Sequence, residues 1–129
     1  MLALNCCHHI ALICSDLEKS KIFYTSILGF VITNEQYRTD SESCKVDLAL
    51  NGNYLIELFS FPNPPKRLSH PEGTGLRHIA FEVANFDDSL QILNKKEVFF
   101  EQIRIDKATN KRFTYIFDPD NLPIELYEH

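Results

Sequence analysis

The chain has 129 residues, enough for one compact domain or for two small units that share a core. Hydrophobic residues make up 44% and charged residues 24%, fractions that are typical of folded globular proteins and exclude a disordered chain. The net charge of −5, with no long basic run, argues against partners such as nucleic acid or an anionic membrane. No apolar run approaches the roughly 18 residues of a membrane helix, and the N-terminus lacks the layout of a signal peptide.

The four cysteines are Cys6, Cys7, Cys14 and Cys44. None belongs to a CxxC pair, and three fall in one predicted strand. This pattern does not suit a disulfide framework or a thiolate zinc site. We therefore predict reduced core thiols and a cytoplasmic location.

The first half of the chain reads as one strand, one helix and three strands. Residues 5–14 are rich in apolar residues and predict a buried strand. Ser15 with Glu18 forms a capping-box pattern, and Gly29 supplies a stop, so a helix is predicted over 16–28. Three further strands are predicted at about 30–39, 43–51 and 53–60, with the tight turn Asn51-Gly52 before the last.

A linker and a second strand–helix–three-strand series follow. Residues 61–76 contain four prolines and two glycines, which cannot sustain a strand or a helix. Such a linker is either a flap over a site or a passive crossover. The later elements are predicted at 77–84 (strand), about 86–96 (helix), and about 98–105, 112–118 and 122–127 (strands).

Two phrases occur twice, in the same order and at nearly the same offset. His9-Ile10-Ala11 returns as His78-Ile79-Ala80, and Ile56-Glu57-Leu58 returns as Ile124-Glu125-Leu126. Repetition of this kind indicates a duplicated structural unit. Each unit contributes one His and one Glu, which are metal-ligand types.

Strand parity gives these four side chains a common direction. Alternation places the large apolar residues of the first and fifth strands against their helices, so His9 and His78 point to the other face of the sheet. Glu57 and Glu125 sit inside apolar strands, where an unpaired carboxylate costs several kcal/mol or more. Taken singly, each would be an ordinary hydrogen-bonded or solvated residue. Together they predict a shared metal site.

These features together resemble the vicinal oxygen chelate superfamily, and most closely its small bacterial glyoxalase I-like, or lactoylglutathione lyase-like, members. The resemblance covers essentially the whole chain. It is carried by His9-Ile10-Ala11-Leu12, by the Asp16 to Phe30 helix with Leu28-Gly29-Phe30, by Ile56-Glu57-Leu58, by Leu76-Arg77-His78-Ile79-Ala80-Phe81, and by Asp118-Pro119-Asp120 before Ile124-Glu125-Leu126. It implies an α+β fold in which two βαβββ modules (about 5–60 and 77–128) pair into a cup-shaped sheet within a single domain, 1–129.

The resemblance assigns His9, Glu57, His78 and Glu125 as ligands of one divalent metal ion. Mixed nitrogen and oxygen donors suit Zn²⁺ or Ni²⁺, with Mn²⁺ or Fe²⁺ as alternatives. Four protein ligands leave two positions of an octahedral ion for a substrate. The neighbouring His8 is interpreted as a residue of the opposite face or of a turn.

The implied activity is that of a glyoxalase I-like lyase or isomerase. Such an enzyme acts on a small carbonyl compound or its thiol adduct through a metal-stabilised enediolate. Glu125 would be the catalytic base and Glu57 the second catalytic carboxylate. Two alternatives stay open: another metalloenzyme of the superfamily (epimerase, thiol transferase or dioxygenase), or a non-catalytic protein that binds a small ligand.

The substrate contacts are less defined. Bacterial glyoxalase I enzymes carry an Asn shortly after the first Glu, but here the nearest is Asn63, so the resemblance does not extend to a glutathione site. Four cations could meet an anionic substrate or be solvated rim charges: Arg77, Arg104, Lys111 and Arg112. Four aromatic residues could line a pocket or belong to the core: Phe59, Phe61, Phe113 and Tyr115.

The predicted site can close within one chain or between two chains. We favour a homodimer, in which His9 and Glu57 of one chain meet His78 and Glu125 of the other. Otherwise each chain would expose pairs of ligand residues that supply only half of the predicted four-ligand set.

Overall fold

A computed structural model describes all residues from 1 to 129, which form two compact units. The first unit is Met1–Pro65 and the second is Lys66–His129. Each contains a four-stranded mixed sheet and one helical segment in the order strand, helix, three strands. The predicted repeat is therefore confirmed. Neither helix has the length and apolar character that a bilayer-spanning segment requires.

The first unit follows the predicted order closely. Its elements are β1 (Ile10–Cys14), α1 (Leu17–Ile22) with a π-helical turn (Phe23–Ile27), β2 (Val31–Arg38), β3 (Ser43–Leu50) and β4 (Asn53–Ser60). The sheet order is β1-β4-β3-β2, with β1 parallel to β4 and the other pairs antiparallel. Asn51 and Gly52 both have positive φ, so the predicted tight turn joins β3 and β4.

The second unit repeats this topology. Its elements are β5 (Ile79–Val83), α2 (Phe86–Lys95), β6 (Arg104–Ile105), β7 (Arg112–Phe117) and β8 (Pro123–Glu128). The sheet order is β5-β8-β7-β6, and β5 runs parallel to β8. In each unit the helix connects the first strand to the second, and the last strand pairs with the first, so the first and last strands lie side by side.

Side-chain alternation in the first strand of each unit agrees with the parity argument. Leu12 and Cys14 are buried while Ala11 and Ile13 between them are exposed. Ile79 in β5 is buried and the next residue is exposed. The apolar face packs toward the interior because burying aliphatic side chains contributes about 25 cal/mol per Å². The opposite face of each strand carries the alternate residues, such as Ala11 and Ala80, which are two positions after His9 and His78.

The start of β1 differs from the prediction. The strand begins at Ile10 rather than near residue 5, and Cys6 and Cys7 are exposed thiols outside the sheet. The prediction of core thiols is wrong for these two residues and correct for Cys14, which is buried. The residues before Ile10 have no partner strand, because β4 pairs with β1 only from Ile10 onward.

The N-cap of α1 is Asp16, not Ser15 as the capping-box pattern predicted. The Asp16 carboxylate accepts from the backbone N–H of Lys19 at 3.1 Å. Glu18 does not reach back to a cap; it pairs with the ammonium of Lys21 at 3.0 Å. A capping carboxylate is a stronger acceptor than a hydroxyl and also favours the helix N-terminus electrostatically.

The strand predicted at 98–105 is reduced to the two residues of β6. The preceding segment still touches β7, since the Glu101 N–H donates to the Tyr115 carbonyl at 2.9 Å and the Thr114 hydroxyl donates to the Glu101 carbonyl at 2.7 Å. Glu97 just before this segment has a positive φ of 55°, which turns the chain out of a regular ladder.

Candidate functional site

His9 and Glu57 form a pair in the first unit. The Nε2 atom of His9 lies 3.4 Å from Oε2 of Glu57. In the ladder Glu57 stands opposite Ala11 of β1, and His9 precedes Ala11 by two residues on the same face. The small side chain of Ala11 leaves the imidazole room to reach the carboxylate.

The other oxygen of Glu57 is held by two side chains of its own sheet. Lys45 Nζ lies 2.8 Å from Oε1, and the Tyr54 hydroxyl donates to the same atom. Lys45 also pairs with Asp47, which faces Glu57 across the β3–β4 ladder. The Glu57 side chain is 12% exposed, so these contacts replace most of its hydration. The carboxylate is thus fixed through Oε1 and presents Oε2 to His9.

The charge state of this cluster follows from its contacts. Burial acts to raise the pKa of Glu57, but hydrogen bonds from Lys45 and Tyr54 outweigh it and hold that pKa below the ordinary value. The pKa of Lys45 is raised by its hydrogen bonds to Glu57 and Asp47. Burial, together with the bond to Glu57, raises the pKa of Tyr54. At neutral pH the cluster is a carboxylate held by an ammonium and a neutral phenol.

His78 and Glu125 form the corresponding pair in the second unit. The Nε2 atom of His78 lies 3.0 Å from Oε2 of Glu125, and the Tyr115 hydroxyl donates to the same oxygen at 3.0 Å. Glu125 faces Ala80 as Glu57 faces Ala11, but across the antiparallel ladder it faces Tyr115, where the first unit has Asp47. Burial raises the pKa of Tyr115, and its hydrogen bond to Glu125 adds to the effect, so the phenol stays a donor.

A cavity of about 760 Å³ opens beside His78 and Tyr115 within the second unit. Its other wall is the segment 66–77, which we call the arm. Arg67 of the arm donates through Nη2 to the carbonyls of Leu76 and Arg77, both at 2.9 Å, and Arg77 pairs with Glu72 at 2.8 Å. These bonds close the arm on itself, and its residues between Arg67 and Arg77 contribute to the lining of the cavity.

The four candidate cations separate into two groups. Arg77 and Arg104 line the cavity. Arg112 instead binds Asp87 at 2.8 Å and Glu128 at 2.7 Å, and Lys111 donates to the terminal carbonyl of the chain. Arg112 therefore ties α2 to the sheet and is not available to a substrate.

The aromatic candidates also separate. Tyr115 lines the cavity. Phe113 stacks on Tyr127 with ring centroids 6.4 Å apart, and Phe59 stacks on Phe61 at 5.8 Å; none of the three phenylalanines lines the cavity.

Sequence reasoning missed most of the cavity wall, including two polar residues of the arm, Arg67 and Ser69. Both lie in the Pro/Gly-rich segment, where neither strand nor helix periodicity assigns a direction to a side chain. No local pattern in the sequence points to either residue.

The residue next to the first ligand candidate, His8, is exposed and contacts His9 through the two Nδ1 atoms, 2.8 Å apart. Its ring also meets Tyr54 edge-on, with centroids 5.4 Å apart. The contacts of His8 with both residues place it at the border of the Glu57 cluster, and it makes no contact with the carboxylate itself.

The donor chemistry of each pair fits a divalent cation. Each directs one imidazole nitrogen and one carboxylate oxygen toward one point, and these are donor types that Zn²⁺, Ni²⁺, Mn²⁺ and Fe²⁺ accept. No group of three or more His, Cys, Asp or Glu side chains is assembled in the structure, so each unit holds two candidate ligands. The four-ligand set of His9, Glu57, His78 and Glu125 stays a prediction.

Known proteins resemble the chain along its whole length. It is 58% identical to the uncharacterized protein YwkD of Bacillus subtilis, with 94% of each chain covered, and 55% identical to the uncharacterized protein YaeR of Escherichia coli, with 99% of each covered. It is 26% identical to the lactoylglutathione lyase of Schizosaccharomyces pombe, covering 92% of this chain and 46% of that protein.

Solved structures agree with this relationship. A glyoxalase family protein from Enterococcus faecalis is 40% identical, with a TM-score of 0.86 and coverage of 94% of this chain and 95% of that one. A variant of the fosfomycin resistance protein FosX from Listeria monocytogenes, complexed with Mn(II), shares the fold at 22% identity, with a TM-score of 0.74 and coverage of 97% and 93%. The sequence also matches the Glyoxalase/Bleomycin resistance protein/Dioxygenase superfamily over residues 7–126, a span that includes both units. Because this match covers most of the chain, the chain belongs to that superfamily, whose members are also called the vicinal oxygen chelate proteins.

Proposed function

We propose that the protein is a divalent-metal-dependent lyase or isomerase of the glyoxalase I type. Its substrate would be a small carbonyl compound or the thiol adduct of one. The observation that carries the proposal is the recurrence of one His–carboxylate pair at the same strand positions in both units. Both pairs consist of metal-ligand residues.

We propose His9, Glu57, His78 and Glu125 as the ligands of a single cation. Zn²⁺ or Ni²⁺ is favoured by the mixed donor set, and Mn²⁺ or Fe²⁺ is the alternative. When bound, such a cation supplies Lewis acidity that lowers the free energy of negative charge developing on substrate oxygens. The remaining chemistry, the movement of a proton, falls to a carboxylate of the chain.

Glu125 is proposed as the base. The two contacts of its carboxylate, with His78 and Tyr115, are both made at Oε2, which leaves Oε1 to accept a proton. Glu57 is held at Oε1 by an ammonium and a phenol, and a carboxylate so restrained is a fixed ligand and a poorer base. Glu125 is also the carboxylate that belongs to the same unit as the cavity.

The relatives provide context for the reaction class, and they differ in how closely they resemble the chain. The yeast lactoylglutathione lyase is a distant sequence relative, and the Mn(II) complex of FosX shares only the fold. We therefore rest the proposal on the repeated pairs and use the relatives as its context. A cytoplasmic location agrees with the free cysteines of the chain.

Metal analysis of the purified protein is the first test. We expect close to one divalent cation for every two His–Glu pairs after incubation with Ni²⁺, Zn²⁺ or Mn²⁺. The loaded protein would then be assayed with hemithioacetals of methylglyoxal formed from several thiols. A protein that stays metal-free would contradict the proposal, and metal binding without turnover of any hemithioacetal would favour another metalloenzyme of the superfamily or a binding protein.

We further propose a homodimer that shares its sites between chains. The test combines two inactive double variants, H9A/E57Q and H78A/E125Q. If the ligand pairs come from different chains, mixed dimers regain one intact site and part of the activity. If each chain closes its own site, mixing restores nothing, and light scattering then reports the oligomeric state independently.

A further inference from the structure

The cavity of the second unit concentrates arginine in an acidic protein. The chain has a net charge of −5 and five arginines, and three of them line this cavity: Arg67, Arg77 and Arg104. None of the lysines does. The planar guanidinium matches a carboxylate or phosphate with two parallel hydrogen bonds, whereas an ammonium acts as a point charge. Such a selection of arginine over lysine is expected where a cavity recognises an oxyanion.

The charges of the lining residues do not cancel. Arg77 pairs with Glu72 at 2.8 Å, and Arg104 pairs with Glu101 at 2.6 Å, so two of the three cations are neutralised inside the wall. Arg67 has no carboxylate partner. Its Nη2 atom donates only to two backbone carbonyls, which fix the guanidinium without neutralising it.

Two polar atoms of the arm lack a hydrogen-bond partner although they are buried. They are Nε of Arg67 and Oγ of Ser69, and both residues line the cavity. An unsatisfied buried donor costs about 1–3 kcal/mol, which the free protein carries in this arm. An oxyanion that enters the cavity can accept from both groups after a small shift of the arm.

We propose that Arg67 and Ser69 form an oxyanion-recognition subsite, and that the substrate of the proposed reaction carries a carboxylate or phosphate group next to the reacting carbonyl carbon. The statement about the substrate rests on the proposed function, whereas the subsite rests only on contacts within the second unit. The anion would be held by the arm, while His78 and Tyr115 on the facing wall lie beside the proposed base. Arg77 and Arg104 are held in the wall by their ion pairs with Glu72 and Glu101, and Arg67 supplies the positive charge that is left over.

The test measures binding in the absence of turnover. The full chain is treated with EDTA, so that no cation can hold the probe, and titrated with pyruvate or with inorganic phosphate while amide NMR shifts are followed. Pyruvamide, which lacks the carboxylate, is the neutral probe. We expect pyruvate or phosphate to bind at least about tenfold more tightly than pyruvamide, since a charge-assisted pair is worth a factor of this size. Whichever anion binds more tightly identifies the group on the substrate.

Two variants locate the subsite. Arg67→Gln is expected to weaken binding of the anion about tenfold or more, and Ser69→Ala about fivefold. Because the Ser69 hydroxyl has no partner in the free protein, Ser69→Ala should leave the thermal midpoint unchanged or raise it. Lys66→Gln is the matched control: it removes one positive charge from the same arm at a residue that does not line the cavity, and binding should be unchanged.

The outcomes separate the subsite from the reaction. Equal binding of pyruvate, phosphate and pyruvamide overturns the subsite, as does an anion affinity that Arg67→Gln and Ser69→Ala leave intact. If Arg67→Gln disorders the arm, Ser69→Ala decides alone. Anion binding that depends on Arg67 and Ser69, in a protein that turns over no hemithioacetal, supports the subsite and contradicts only the proposed function.

Discussion

The carboxylates of Glu57 and Glu125 occupy equivalent ladder positions, yet the two units hold them differently. Both face an alanine on one neighbouring strand, and both meet a histidine and a tyrosine. Only Glu57 has a lysine, Lys45, on its second oxygen. At the matching position the second unit carries Phe113, which leaves Glu125 without an ammonium partner.

This difference favours separate roles for the two carboxylates, one as a fixed ligand and the other as a base. A carboxylate fixed by an ammonium and a phenol keeps its geometry and stays ionised, as a permanent ligand must. A carboxylate held at one oxygen only can exchange a proton at the other. The cavity and its arginines belong to the second unit as well, so the reactive role and substrate recognition are expected on the same side.

The largest expected effect distinguishes the two carboxylates. Glu125→Gln should lower the turnover of the metal-loaded protein by about 10²–10⁴-fold, the range that a general base contributes, and should weaken metal binding. Glu57→Gln should weaken metal binding similarly but recover much more turnover at saturating metal. Steady-state kinetics over a metal titration measures both. Equal residual turnover for the two variants would remove the proposed division of roles.

The lysine can be removed from the first unit to make it resemble the second. Lys45→Met should lower the free energy of unfolding by about 1–3 kcal/mol at pH 7, because the Glu57 carboxylate, whose side chain is only 12% exposed, loses a charge-assisted bond. It should also raise the affinity for a divalent cation, since a competing positive charge is gone. Urea unfolding with and without added Ni²⁺ measures both effects.

Lys21 offers the matched control for this substitution. Its carboxylate partners, Glu18 and Glu35, have side chains that are 75% and 50% exposed, so Lys21→Met should cost much less. A Lys45→Met protein that is as stable as Lys21→Met, with unchanged metal affinity, would show that the ammonium does not hold Glu57.

The two tyrosines give a smaller test of the same comparison. Tyr115→Phe leaves Glu125 with His78 alone, whereas Tyr54→Phe leaves Glu57 with Lys45 and His9. Each substitution removes one hydrogen bond, worth about 1 kcal/mol. Turnover should fall more for Tyr115→Phe than for Tyr54→Phe at saturating metal. The reverse order would place the more sensitive carboxylate in the first unit.

The smallest expected effect concerns the ion pairs that connect the helix of each unit to its sheet. Arg112 hydrogen-bonds Glu128 and holds the pKa of that carboxyl at about 2, below its ordinary value of 4.5. The resulting stabilisation is present above pH 4.5 and is lost as the pH falls toward 2. Glu128→Gln should therefore lower the urea midpoint at pH 7, and the gap to the unsubstituted protein should narrow at pH 3.

Glu35→Gln is the equivalent change in the first unit, where Lys21 of α1 pairs with Glu35 of β2. A gap for Glu128→Gln that stays constant from pH 7 to pH 3 would mean that the Arg112 pair adds nothing to stability.

The sequence determined the repeat, the fold class and the direction of the ligand candidates. Side chains alternate along any strand, so the buried set of Leu12 and Cys14 requires His9 to lie on the other face. The same local rule applies to His78 before Ile79. Turn chemistry was equally local, and Asn51-Gly52 forms the tight turn that its residues predict. The capping-box pattern was less reliable, because it predicted Ser15 as the N-cap and the structure has Asp16 there.

Only the tertiary structure decided what surrounds the two carboxylates. Lys45 reaches Glu57 because of the register between β3 and β4, and no local pattern in the sequence fixes a register between strands. The arm is a stronger case: Pro/Gly-rich backbone has no periodicity, so the position of Arg67 in the cavity wall depends on its hydrogen bonds to the carbonyls of Leu76 and Arg77 at the other end of the arm. The sequence could therefore name the His–Glu pairs, while the asymmetry between them and the cationic cavity followed from contacts that form only on folding.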